Sequence, residues 1–109
     1  MDEDEYLDEL LRVKEEEKLA LIRQTISDRA DALAQIEENE KASAKMQADL
    51  EEYEYLMRVV PDPTRDEDWF DQCVRIRETQ RLIKARNDKL RWAIEQFDKV
   101  LSEARPLGS

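Results

Sequence analysis

Glycine occurs once in 109 residues, at Gly108, and proline three times, at Pro61, Pro63 and Pro106. A sandwich, a barrel or a Rossmann unit needs tight turns at several places. This chain lacks the material for them, so all-β and α/β architectures are excluded. Histidine is absent and Cys73 is the single cysteine. With no glycine-rich loop either, most nucleophile–base pairs, zinc sites and phosphate cradles fall away together, and no catalytic residue, metal site or cofactor is expected. A lone cysteine closes no intramolecular disulfide, and Met1-Asp2-Glu3-Asp4-Glu5 is the reverse of a cationic signal-peptide start. Both point to a soluble intracellular protein of the cytoplasm or nucleus. No apolar run approaches the roughly 20 residues that span a bilayer, and acidic surfaces are repelled by anionic headgroups, so membrane insertion is not expected.

Charge is what the chain has in quantity. It carries 28 acidic and 18 basic side chains for a net charge of -10, against a hydrophobic fraction of 40%. One domain is the ceiling at this length. From about Tyr6 to Val60 there is neither glycine nor proline, and Glu, Leu, Ala, Lys, Arg, Gln and Met dominate. These residues lose little entropy in a helix, so the spacing predicts one long helix. Pro61 and Pro63 break it. Thr64 followed by Glu67 has the pattern of a capping box, which predicts a second helix from about Arg65 to about Ala104, ended by Pro106. At 1.5 Å per residue the two would run to roughly 80 Å and 60 Å, too long for a compact globule of this mass.

The second helix repeats apolar residues in heptads. Trp69, Ile76, Ile83, Leu90, Phe97 and Ala104 fall at one seam position, and Cys73, Gln80, Asn87, Ile94 and Leu101 at the other. On the first helix Asn39, Ser43, Met46, Leu50, Tyr53, Met57 and Val60 share one register, while Leu19, Ile22, Ile26, Leu33 and Ile36 share another. The step between the two registers predicts local overwinding or a change of partner. Folding the second helix back sets Trp69 opposite Met57, Cys73 opposite Tyr53, Ile76 opposite Leu50, Ile83 opposite Ser43 and Asn87 opposite Asn39. The two asparagines are the candidate register pin, because any slipped pairing buries an unpartnered amide at a cost of about 1–3 kcal/mol. Beyond Leu90 the register sets Phe97 against Arg29 and Leu101 against Thr25, and a rotation bringing in Leu33 and Ile26 is expected instead. Residues 1–75 carry a net charge of -13 and residues 76–109 a net charge of +3, which favours the hairpin over pairing of like helices.

The expected architecture is therefore all-α: two long helices in an antiparallel coiled-coil hairpin with an N-terminal helical overhang. Residues 1–21 form an acidic extension, 22–104 the hairpin with its turn at 61–64, and 105–109 a tail resembling a cloning remnant. Three surfaces invite function. The overhang sets Tyr6, Leu7, Leu10 and Leu11 among acidic residues, a stripe suited to a second copy or a partner. Leu82, Ala85, Trp92, Gln96 and Val100 form a stripe off the seam, where a tryptophan suits further helix packing. The tip carries Asp62, Asp66, Glu67 and Asp68 beside Trp69 and Phe70. Bacterial transcript-cleavage factors present acids at the tip of a coiled-coil hairpin, and the predicted shape resembles theirs in architecture, without an alignable motif and without their C-terminal globular domain. That resemblance implies an accessory factor whose tip enters a larger enzyme such as a polymerase; the plainer assignment gives these acids to the start of the helix.

The basic residues Arg75, Arg77, Arg81, Lys84, Arg86, Lys89 and Arg91 are expected mostly to partner the acidic first helix. Nucleic acid is not expected as a ligand, because the acidic total opposes counterion release. Cys73 is expected as a small core residue. Taken together, the residues point to a non-enzymatic scaffold or assembly subunit with a protein partner or a homo-oligomeric state.

Overall fold

The computed structural model of the protein describes residues 2–60 and 62–104. The helix-breaking role of Pro61, the stop at Pro106 and the tail 105–109 lie outside the described residues. The fold is all-α, two long helices packed against each other as a hairpin: α1 spans Glu3–Val59 and α2 spans Pro63–Ala104. By packing, the chain divides into two units, one of Met1–Leu33 with Trp92–Ser109 and the other of Ala34–Arg91.

Both helices start on an aspartate. Asp2 Oδ1 accepts the Glu5 N–H at 2.9 Å and the Asp2 carbonyl accepts the Tyr6 N–H at 3.1 Å. That cap, followed by Glu3, Asp4 and Glu5 at the positive end of the helix dipole, starts α1 earlier than Tyr6. The start of α2 corrects the expected capping box. Asp62, not Thr64, is the cap: its Oδ1 accepts the Thr64 N–H at 3.1 Å and the Thr64 hydroxyl at 2.6 Å. The Asp62 carbonyl accepts the amides of Arg65 at 3.1 Å and Asp66 at 2.8 Å. A carboxylate is a stronger acceptor than a hydroxyl, and Pro63 at the first helical position has no N–H to leave unpaired, so the helix gains an earlier start at little cost.

In the unit Ala34–Arg91 the residues that the heptads select are covered, and Glu54, Leu56, Asp62 and Asp66 are half-buried beside them. Ile36, Asn39, Ser43, Met46, Leu50, Tyr53 and Met57 on α1 meet Trp69, Cys73, Ile76, Gln80, Ile83, Asn87 and Leu90 on α2. Cys73 is 1% exposed and Leu50 6%. Val60, expected at the end of the seam, is exposed. Asn39 Nδ2 donates to Asn87 Oδ1 at 2.8 Å, so the register is the one in which the two asparagines coincide. Gln80 Nε2 donates to Gln47 Oε1 at 3.1 Å and to the Ser43 carbonyl at 3.3 Å.

In the unit Met1–Leu33 with Trp92–Ser109 the expected rotation does not occur. The covered residues of α1 are Ile22, Thr25, Arg29 and Ala32, with Asp28 half-buried beside Arg29, whereas Leu19, Ile26 and Leu33 are exposed. Residues taken three and four apart from Ile22 through Ala32 and Ile36 to Asn39 keep ordinary heptad alternation, so the irregular step vanishes. The small side chains Thr25 and Ala32 leave room for the half-buried Ile94, Phe97 and Leu101 of α2. Thr25 bears no polar penalty there, because its hydroxyl donates to the Leu21 carbonyl at 2.8 Å. Arg29, unwelcome in an apolar seam, sends its Nε outward to Asp98 Oδ1 at 2.7 Å while its stem lies along the interface.

Candidate interaction surfaces

The extension comes first because it has no internal partner. Every described residue up to Leu21 is exposed, and burial begins at Ile22. Tyr6, Leu7, Leu10 and Leu11 all face solvent. A helix holds this segment because its residues favour helix and because it continues α1, not because it packs. Its one ion pair among the described residues, Arg12 Nη2 to Glu9 Oε1 at 2.6 Å, joins neighbours on the same helix.

The stripe off the seam is placed in part as expected. Leu82 and Ala85 are exposed on α2 in the unit Ala34–Arg91, with Val74 exposed on the same helix. Trp92, in the other unit, is 63% exposed, the highest value among the described large hydrophobic residues. Gln96 and Val100 are half-buried, so they belong to the packed side of α2 and the stripe is shorter than its sequence spacing suggests.

The tip acids are brought to the start of α2 but not to one point. Asp62 is the cap, and the hydrogen bond from the Thr64 hydroxyl, helped by the Thr64 and Arg65 amides and the Arg65 charge, holds its carboxyl below the ordinary value. Asp66 is half-buried, with Oδ1 enclosed and without a hydrogen-bond partner, whereas Glu67 and Asp68 are exposed. Trp69 is half-buried in the seam and Phe70 is exposed. Among the described residues no group of three or more Cys, Asp or Glu side chains gathers as a metal cage. Cys73 is buried, and that burial pushes its thiol up despite the opposing charge of Arg77.

The basic residues correct an expectation. Only Arg77 and Arg91 reach α1, through Glu54 at 2.7 Å and Glu40 at 2.9 Å. Arg75, Arg81, Lys84, Arg86 and Lys89 take part in no ion pair among the described residues. Lys84 shares the heptad position of Arg77 and Arg91, but the α1 residue midway between their partners Glu40 and Glu54 is the uncharged Gln47; Arg86 and Lys89 line a groove with Gln35 and Asn39 of α1, again without an acid.

Two features escaped the heptad reading. Ile26, Ala30 and Leu33 of α1, left outside the seam, join Arg29, Asp98, Leu101 and Ser102 to line an open groove of about 540 Å³. Near the tip Tyr55, Val59 and Val60 are exposed on α1. The signal for the groove was in the sequence: Thr25 and Ala32 keep heptad spacing with Ile36, and a regular seam through them leaves Ile26 and Leu33 outside. Among the described residues no helix is long and apolar enough to cross a membrane. Compared with known proteins, the chain matches no family model, no curated protein and no solved structure.

Proposed function

We propose that the chain is a non-enzymatic helical scaffold or assembly subunit that binds a protein partner, or further copies of itself, by helix packing. The observation that carries this reading is the extension, a helix with Tyr6, Leu7, Leu10 and Leu11 exposed and no residue buried. A helical segment of this length is marginal alone in water, and apolar side chains spaced along one are the usual form of a groove-binding or bundle-forming surface. The exposed Trp92 adds a residue type enriched at interface hot spots. A photoreactive residue placed at Leu10 or at Trp92 in the full chain, in cells that express it, is expected to form protein adducts, whether with another copy or with a different chain. Adducts at neither position would overturn the reading. Trp92→Glu is expected to abolish association at that site while leaving helicity nearly intact.

The second reading, an accessory factor whose acidic tip enters a larger enzyme, draws support from the exposed Glu67, Asp68 and Phe70. Asp62 is already committed to the cap and Asp66 is half-enclosed, which leaves few acids free for such a role. Neutralising Asp66, Glu67 and Asp68 together is expected to eliminate activity on that enzyme while assembly is untouched; an unchanged partner enzyme disposes of it.

A further inference from the structure

The extension and the outer face of α2 are opposite in charge and alike in construction. Residues 2–21 hold nine acidic and three basic side chains, net -6, around the exposed Leu7, Leu10 and Leu11. Residues 74–91 hold seven basic and two acidic side chains; with Arg77 and Arg91 drawn to α1, the remainder is net +3, and Val74, Leu82 and Ala85 are exposed in the same stretch. Five of those cations have no ion-pair partner among the described residues, and of the nine acids on the extension only Glu9 has one. The lengths agree as well, since helix from Glu3 to Leu21 rises about 28 Å and from Val74 to Lys89 about 24 Å.

From this complementarity we infer that the occupant of both surfaces is a second copy of the chain: the acidic extension of each copy lies along the basic outer face of α2 of the other. The inference rests on the assembly reading above and narrows it to one partner. Pairing extension with extension would set -6 against -6, and pairing α2 with α2 would set +3 against +3, so the crossed arrangement is the one that electrostatics favours. Leucines at helical spacing enter the strip of Val74, Leu82 and Ala85, and the carboxylates that flank them meet Arg75, Arg81 and Lys89. The contact is made of unlike surfaces, and using each surface once per copy, reciprocally, closes a dimer.

The test is a charge swap read by light scattering after size exclusion at low ionic strength. The unaltered chain is expected at twice its 13.0 kDa, with the dimer weakening as salt rises. Two variants change only exposed side chains that have no ion-pair partner among the described residues: Arg81→Glu with Lys89→Glu, and Asp8→Lys with Glu15→Lys. Each is expected to run as a monomer: the first takes the unpaired face from +3 to -1 against an extension of -6, and the second cuts the extension from -6 to -2 and sets new cations against those of α2. Mixed in equal amounts they are expected to recover the dimer, since each then supplies what the other needs. Circular dichroism on both variants separates lost pairing from lost folding. The inference is overturned by a monomeric unaltered chain, by a dimer that survives either swap, or by two helical monomeric variants that fail to combine. In the second case, loss of the dimer in Trp92→Glu would leave the assembly reading standing while removing this partner surface.

Discussion

Asn87 is 4% exposed within the seam, and its only side-chain hydrogen bond among the described residues is the one it accepts from Asn39, which in turn accepts from Gln35 Nε2 at 2.9 Å. Replacing Asn87 by Leu leaves the Asn39 amide facing an apolar surface, and a loss of about 1–3 kcal/mol is expected in urea unfolding. Replacing both asparagines by Leu should restore or exceed the original stability, because two apolar side chains leave nothing unpaired. Additive losses in the double variant would remove the register pin. Asp62 gives a pH dependence with a definite sign. Its folded pKa lies below the unfolded one, so the cap contributes stability that is full above the ordinary carboxylate value and is lost as pH falls through the lowered folded value. Melting temperature should therefore drop more steeply below about pH 4 in the unaltered chain than in Asp62→Asn, which keeps a neutral acceptor. Parallel acid curves for the two would rule the cap out as the cause. Cys73, buried and with its thiol pushed up, should react with Ellman's reagent only as fast as the protein unfolds. The asparagine pair and the buried cysteine were legible in the sequence from heptad position. The cap was not, because Asp62-Pro63-Thr64 offers two adjacent cap candidates and local spacing alone does not choose between them.

At the scale of the element, what is buried and what is not follows the seam and not hydrophobicity. Leu50→Ala, at a buried seam position, is expected to cost about 2–4 kcal/mol in urea unfolding, the range for truncating a packed leucine. Ile26→Ala, on an exposed side chain of comparable size, is expected to cost within about 0.5 kcal/mol. Equal losses at the two positions would mean that the seam runs through Ile26 after all. The heptads of α2 and of α1 from Ile36 to Met57 were readable from spacing, because there each apolar or small residue has one plausible face. Between Ile22 and Leu33 two neighbouring faces both carry apolar residues. The more hydrophobic of them, with Ile26 and Leu33, suggests the wrong seam because burial was assumed to follow hydrophobicity. Packing instead selected the face whose small residues accommodate Phe97 and Leu101. The cations of α2 follow the same logic: composition says how many there are, but only the packed register says which of them find an acid on α1.

For the molecule as a whole, the extension is the testable part. Removing residues 1–21 takes away nine acids and three bases but no buried side chain, so the remaining hairpin should keep its helical signal per residue and its monomer melting temperature. Circular dichroism and thermal melts at low concentration check this, and a large fall in melting temperature would mean that the extension packs on its own chain. Its contribution should appear only where copies meet, as a concentration-dependent rise in melting temperature present in the full chain and absent from the shortened one. Composition and periodicity alone determined that this protein forms two long helices with a break near Pro61, and that acid is concentrated before residue 76 and base after it. Those are properties of residue type and spacing along one strand of chain. Which of two adjacent faces α1 turns to α2, which aspartate caps the second helix, and which cations are left without partners were decided only when the two helices packed. Each depends on the fit of side chains far apart in sequence, and a shift of one residue, about 100° around a helix, exchanges the buried for the exposed.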